Sequence, residues 1–134
     1  MKEAKYIVVI GCGRLGSILA SHLSSPGNSV VIIDLIEERF KNLKSEFSGF
    51  TIVGDASELS VLRAAKADKA DCLLAVTNKD NINLMVAQIA KEVYKIPQVI
   101  ARVFDPERQN IYQDFGIATI SPTLLSVDAL MKKL

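Results

Sequence analysis

Two cysteines and one histidine are a thin supply of metal-binding or nucleophilic side chains for a chain of 134 residues. Cys12 and Cys72 lie far apart and form no Cys-x-x-Cys pair, which excludes a disulfide framework or a structural metal site and leaves two small buried thiols. His22 stands in a helical stretch with nothing around it that suggests a Ser-His-Asp or Cys-His arrangement. No apolar run approaches the roughly 18 residues that a membrane helix needs. An excess of one charge is missing too: 16 Lys and Arg oppose 15 Asp and Glu, a net charge of +1. Nucleic acid is therefore not expected as a partner, since phosphate contacts need clustered positive charge. The opening residues Met1-Lys2-Glu3-Ala4-Lys5 show no signal-peptide pattern, so a cytoplasmic location is expected. Linkers and low-complexity runs are absent as well.

What is present is an ordinary globular composition, 49% hydrophobic and 23% charged. The length fits one domain that buries roughly two thirds of its unfolded surface. Two periods alternate along the chain. Tyr6-Ile7-Val8-Val9-Ile10 is a β-branched run, as expected of a strand covered on both faces. Residues 14–25 carry a helical stripe of Leu15, Ile18, Leu19 and Leu23, ended near Pro26-Gly27. Val30–Ile33 reads as a second strand, 37–47 as an amphipathic helix with Phe40, Leu43 and Phe47 on one side, and Thr51–Val53 as a third strand. A short helix over 58–66, a strand over 71–76 and a helix over 80–94 follow, the last with Ile82, Met85, Val86, Ile89, Ala90 and Val93 as its stripe. Then come a strand over 98–102, a helix over about 106–115 ended by Gly116, a strand over 117–120, and a helix from Pro122 to Leu134. Two β-α-β-α-β halves give an α/β fold, a Rossmann-type doubly wound six-stranded parallel sheet in a single domain. The ligand crevice belongs where the strand order reverses.

The first strand runs into Gly11-Cys12-Gly13-Arg14-Leu15-Gly16, a G-x-G-x-x-G turn in its required strand–turn–helix setting. Gly11 permits the tight turn, Gly13 lets the backbone approach a pyrophosphate, and Gly16 lets the helix pack closely. The helix N-terminus offers free N–H groups and positive dipole to an anion. Asp34 ends the second strand, 34 − 13 = 21 residues past Gly13, where a carboxylate accepts from ribose hydroxyls. Such a carboxylate repels a 2′-phosphate, and Leu35 and Ile36 bring no positive charge, so NADP is disfavoured. The competing role for Asp34 is a cap on the following helix.

Other polar residues sit on the same sheet edge, each with two readings. Arg14 stands against the helix dipole, which suits an anion of the ligand or of a neighbouring subunit's ligand, or a solvated side chain. Asp55 can flank an adenine or form a capping box with Glu58. Thr77-Asn78-Lys79-Asp80 can face the ligand or cap the next helix. Arg102 can reach the ligand or pair with Asp105 or Glu107.

Together these blocks resemble the RCK/KTN (TrkA N-terminal) domain. They are Ile10-Gly-Cys-Gly-Arg-Leu-Gly16, Val31-Ile-Ile-Asp34, Val53-Gly-Asp-Ala56, Thr77-Asn-Lys-Asp-Asn-Ile-Asn83, Ala101-Arg-Val-Phe-Asp-Pro106, and Phe115-Gly116-Ile117 with Ile120-Ser-Pro122. The resemblance spans almost the whole chain, with the blocks in family order. It implies a regulatory subunit at the inner face of the membrane, attached to a potassium pore subunit and gating it through ring assembly. It implies NAD(H) or an adenine nucleotide (ATP, ADP or AMP) in the crevice, with no catalysis and no metal. Gly11, Gly13, Arg14 and Gly16 would hold phosphates, with Cys12 and Leu15 as further binding residues of the same turn. Asp34 and Leu35 would meet the ribose, and Arg39 would lie near the adenosine. Asp55 and Ala56 would flank the base, Thr77 and Asn78 would face the glycine turn, and Arg102 is a further binding candidate on the same edge. Many relatives carry a second C-terminal lobe. The resemblance implies a homo-oligomer, a dimer building a ring, and since this chain stops at Leu134 a companion regulatory subunit that has the lobe is a further expectation. Some relatives carry Pro-Glu where this chain has Pro122-Thr123, so a divalent cation is not expected there.

Leu124, Leu125, Val127, Leu130, Met131 and Leu134 make the last helix apolar on more than one side. It either wedges into its own domain or buries against a second surface, and the resemblance implies a partner subunit. Two other function classes share the fold. A small NAD-dependent oxidoreductase would need a substrate domain and a Tyr-x-x-x-Lys pair; Tyr94 is followed at the fourth position by Gln98 and Tyr112 by Gly116. A free-standing redox or nucleotide sensor would need no pore.

Overall fold

The computed structural model describes residues 4–24 and 27–134. Six parallel strands form one sheet in the order β3-β2-β1-β4-β5-β6. They are β1 (Tyr6–Ile10), β2 (Ser29–Asp34), β3 (Phe50–Val53), β4 (Cys72–Ala75), β5 (Gln98–Arg102) and β6 (Ala118–Ile120). The helices are α1 (Arg14–Ser24), α2 (Leu59–Ala64), α3 (Asp80–Glu92), α4 (Gln109–Asp114) and α5 (Pro122–Lys133). The order reverses between β1 and β4, so the doubly wound arrangement expected from the alternating periods is the one observed.

Alternation along β1 builds two cores. Ile7 and Val9 join Val30 and Ile32 on the face covered by α1, with Leu15, Leu19 and Leu23 packed against them. Val8 and Ile10 join Val31, Ile33, Leu73 and Ala75 on the opposite face, under Leu62 of α2 and Val86, Ala87 and Ala90 of α3. Both faces of the central strands are dry, which is why their sequence is continuously apolar rather than alternating.

Four expectations are corrected. The amphipathic helix over 37–47 is instead a 3-10 turn, Glu37–Asn42, followed by irregular chain. The amides that a longer helix would have used are taken by α1: Lys44 N–H donates to Ser21 Oγ (3.1 Å) and Ser48 N–H to Ser24 Oγ (3.3 Å). Phe40, Leu43 and Phe47 still reach the core, so the apolar side was right and the helix was not. The stripe on α3 is turned by about one position: Asn83, Val86, Ala87 and Ala90 are buried, while Met85 and Val93 are exposed. On α1 the buried residues are Gly16, Ser17, Ala20, Ser21 and Ser24, and Ile18 is exposed. Small residues there let the helix lie close to the sheet. The 106–115 helix is a 3-10 turn, Pro106–Arg108, leading into α4. Of the Pro26-Gly27 stop, Pro26 lies outside the described residues; Gly27 has φ +92. Gly116 has φ +71, in keeping with its role as a helix terminator.

Helix α5 buries none of its residues. Leu130 is 62% and Met131 65% exposed, which overturns the possibility that it is wedged inside its own domain. Among the described residues no helix is long and apolar enough to cross a membrane.

Candidate functional site

The carboxyl ends of β1 to β4 enclose a cavity of about 310 Å³ at the point where the strand order reverses. Gly11, Asp34, Leu35, Arg39, Asp55, Ala56, Thr77 and Asn78 line it, all of them residues singled out from the sequence. Ile10, Ile33, Ile36 and Ile82 supply apolar wall, and Lys79 stands on the rim. Cys12, Gly13, Arg14, Leu15, Gly16 and Arg102 do not line the cavity proper.

The glycine turn is shaped by three different constraints. Gly11 has φ +104, a conformation that L side chains rarely adopt, and a Cβ there would lie 3.0 Å from the Thr77 backbone. A Cβ on Gly16 would collide with the Gly11 carbonyl oxygen, so this glycine seats α1 on the turn. Gly13 has nothing within 4 Å of its missing Cβ, which leaves its backbone open to an incoming group. Arg14 is exposed at the start of α1, and no ion pair involves it among the described residues.

Asp34 organises the corner between the turn and β2. Its Oδ2 accepts from Cys12 N–H (2.7 Å) and its Oδ1 from Ile36 N–H (2.8 Å). Arg39 Nη1 lies 3.6 Å from Oδ2, with the Arg39 side chain 41% exposed and that of Asp34 2%. The expected cap is thus realised only in part, since the carboxylate caps the glycine turn as well as the chain entering the 3-10 turn. A carboxylate has roughly four acceptor positions, so one or two remain for a ligand. Arg39 also places a positive charge at this corner, which Leu35 and Ile36 alone do not. The 3-10 turn is tied back through Cys12: Asn42 Nδ2 donates to its carbonyl (3.2 Å), and its thiol donates to the Arg39 carbonyl (3.4 Å). Burial, with Asp34 adding to it, pushes the Cys12 thiol up to about 11. Burial also raises the Cys72 thiol. Neither is an activated nucleophile, so a thiol-based redox sensor gains no support here.

Asp55 does not form the expected capping box. Its Oδ1 accepts from the Ser57 hydroxyl (2.6 Å) and the Ser57 N–H (2.9 Å), bonds that hold its carboxyl below the usual range. Glu58 stands at the start of α2 without a side-chain cap. Ala56 is buried beside it.

Arg102 makes neither expected ion pair. Its Nη2 donates to the carbonyls of Val76 (2.7 Å) and Thr77 (3.0 Å), and its guanidinium lies 4.7 Å over the Phe104 ring. Asp105 pairs with Arg108 instead, at 3.7 Å. Among the described residues the Arg102 Nε is buried without a partner, and burial lowers the guanidinium pKa. Thr77 turns inward: its hydroxyl donates to Asn83 Oδ1 (2.7 Å) and accepts from Lys79 N–H (3.2 Å). Asn83 was not singled out for a role from the sequence. The available signal was an amide side chain on the helical face that also holds Val86, Ala87 and Ala90.

The sequence model of the TrkA-N domain matches residues 7–122. The Trk system potassium uptake protein TrkA of Streptomyces coelicolor is 36% identical over 129 residues, 96% of this chain and 58% of that protein. A TrkA homolog of Pyrococcus horikoshii is 36% identical over 109 residues, 81% of this chain and 48% of that protein. The chain thus spans about half the length of these curated relatives. Among solved structures, the TrkA-N domain of inner membrane protein YbaL from Escherichia coli aligns with a TM-score of 0.86 at 17% identity, covering 100% of this chain and 99% of that one. The Kef CTD of Shewanella denitrificans in AMP-bound form gives 0.80 at 23% identity, covering 93% and 76%. The GsuK channel bound to NAD gives 0.73 at 16% identity, covering 90% and 22%. At these identities the structural likenesses show the shared fold.

Proposed function

The chain belongs to the TrkA-N domain family, and on that premise we propose that it is a non-catalytic, nucleotide-sensing module of a potassium-uptake regulator. Its ligand is NAD(H) or an adenine nucleotide held in the switch-point cavity. It sits in the cytoplasm and acts on a membrane potassium pore subunit through a ring of regulatory subunits, as a homo-oligomer or with a companion subunit.

The observation that carries the reading is the cavity itself. Gly11, Asp34, Ala56 and Thr77 come from four separate strand ends and converge on about 310 Å³, the low end of the size range for small-molecule sites. That volume suits the adenosine half of a nucleotide. The base lies between Leu35 and Ala56, the ribose reaches the remaining lone pairs of Asp34, and the phosphates run out over the open Gly13 towards the start of α1 and Arg14. A 2′-phosphate would face the Asp34 carboxylate, which Arg39 only partly offsets, so NADP binds more weakly than NAD. AMP bound to the Kef CTD and NAD bound to GsuK support the ligand class.

The exposed apolar surface of α5 supports assembly: it is covered by a partner copy or a companion subunit. Gating then follows from linkage. A nucleotide shifts the ring only by its difference in affinity for two ring states, and tenfold supplies about 1.4 kcal/mol per site. Several coupled sites are needed for a decisive switch.

A thermal-shift panel over AMP, ADP, ATP, NAD, NADH and NADP tests the reading. A ligand at about 100 times its Kd adds roughly 2.7 kcal/mol of stability, several degrees for a domain this size. No shift with any of them, or a larger response to NADP than to NAD, contradicts it.

A further inference from the structure

We propose that Asn83 is the positioning residue for the nucleotide cavity, holding its β4 wall at the separation from the glycine turn that binding requires. This rests on the reading of the cavity as a nucleotide site.

The regular sheet stops short of that wall. The N–H of Val76 still donates to the Ile10 carbonyl (2.9 Å), and β4 itself ends at Ala75. Thr77 to Lys79 must therefore be placed by something other than the ladder. Asn83, fully buried on α3, takes over at Thr77. Its Oδ1 accepts from the Thr77 N–H (2.9 Å) and from the Thr77 hydroxyl (2.7 Å). Its Nδ2 donates to the Thr77 carbonyl and to the Arg102 carbonyl, both at 3.0 Å. All four hydrogen-bonding positions of the amide are used, and three of them hold one residue.

Thr77 is where precision matters. The place of a Gly11 Cβ lies 3.0 Å from its Cα and its N, so the wall and the glycine turn are already in contact. A displacement of Thr77 either drives into the turn or widens the cavity. The neighbours of Asn83 on the buried face of α3 are Val86, Ala87 and Ala90, so packing alone would have accepted an apolar side chain. Retaining a buried amide makes sense where a backbone segment outside the sheet has to be pinned on both its donor and its acceptor side. Arg102 supports the same wall from β5 through its bonds to Val76 and Thr77, but it reaches only carbonyls. Among the described residues only Asn83 accepts from the Thr77 N–H, and it accepts from the hydroxyl as well.

The test uses the full chain and two probes, NAD and ADP, with affinities measured by calorimetry between pH 5 and 8 and folding followed by circular dichroism. Asn83→Asp keeps the shape and the acceptors but, when ionised, turns a carboxylate on the Thr77 and Arg102 carbonyls. Affinity for the probe that binds the unaltered chain is expected to fall about tenfold or more at pH 8. It is expected to recover in part as the pH is lowered, because the buried acid takes up a proton and regains one of the two donors the amide had. The unaltered chain and Asn81→Ala, on an exposed position of the same helix, should show no such recovery. Asn83→Ala should lose affinity at every pH. If Asn83→Asp or Asn83→Ala melts lower yet binds with unchanged affinity, Asn83 is a structural residue only and the proposal is overturned. If Asn83→Ala does not fold, Asn83→Asp carries the test, and loss of affinity without recovery at low pH overturns it. Failure of the unaltered chain to bind either probe overturns the nucleotide reading, and this inference with it.

Discussion

Replacing Asp34 with asparagine separates two tasks that one carboxylate performs. Its oxygens accept from two different backbone amides, Cys12 on one side and Ile36 on the other. An amide side chain has one acceptor oxygen, so its NH₂ must face the second N–H, and charge assistance is lost at the first. Leaving one partly buried donor unpaired costs about 1–3 kcal/mol, and the weakened bond adds about 1 more. The expected fall in stability is about 2–4 kcal/mol, roughly 6–15 °C in Tm for a domain of this size. Binding suffers separately. Loss of one charge-assisted bond to a ribose hydroxyl, about 1.5–3 kcal/mol, weakens NAD or ADP roughly 10- to 150-fold. Arg39→Ala is the control for stability: it removes the ion pair of a partly exposed arginine, worth about 0–1 kcal/mol, and leaves both amides satisfied. Differential scanning fluorimetry and calorimetry read the two effects independently. An unchanged Tm in Asp34→Asn refutes the view that this carboxylate builds the glycine-turn corner. A lowered Tm with unchanged nucleotide affinity refutes the ribose assignment.

The two glycines of the turn should behave oppositely. Gly16→Ala puts a Cβ onto the Gly11 carbonyl and should lower Tm through overpacking by about 1–3 kcal/mol. Gly13→Ala meets open space and should leave Tm nearly unchanged while weakening the nucleotide in calorimetry. Cys12, pushed up to about 11, and Tyr112, pushed up to about 12 chiefly by burial, are both neutral when protonated. The unfolded chain releases those protons nearer 9 and 10, so their contribution to stability is whole below about pH 9 and is lost as pH rises towards 11–12. Urea melts at pH 8 and pH 10.5 should show the decline, and iodoacetamide at pH 8 should label neither cysteine before unfolding. Leu130→Glu with Met131→Glu alters only the exposed face of α5, so light scattering should show loss of assembly with the monomer still folded. Assembly unchanged by both charges would refute the role given to that helix.

The strands were legible because buried parallel strands write themselves as β-branched runs: Tyr6–Ile10 and Val30–Ile33 needed no context. The glycine turn and Asp34 were legible for a similar reason, since backbone conformation and spacing are local. What the sequence did not disclose is where polar groups spend their hydrogen bonds. Ser21 and Ser24 look like weak helix formers, yet they take the amides of Lys44 and Ser48 and so prevent a helix over 43–47. Arg102 reads as an ion-pair partner because Asp105 is near in sequence, whereas the carbonyls it binds, Val76 and Thr77, are distant in sequence. Asn83 sits among apolar residues at helical spacing, and pattern reading rotates the stripe away from it towards Met85 and Val93. All these misplacements come from long-range polar contacts, which hydrophobic periodicity does not encode.

Amide chemical shifts recorded during nucleotide titration test the central claim most directly. The account predicts that ADP or NAD moves the signals of Gly11 to Gly13, Leu35, Asp55, Ala56 and Thr77 to Lys79, with α5 unaffected in the monomeric Leu130→Glu, Met131→Glu form. Shifts confined to other surfaces, or none at saturating ligand, would contradict it.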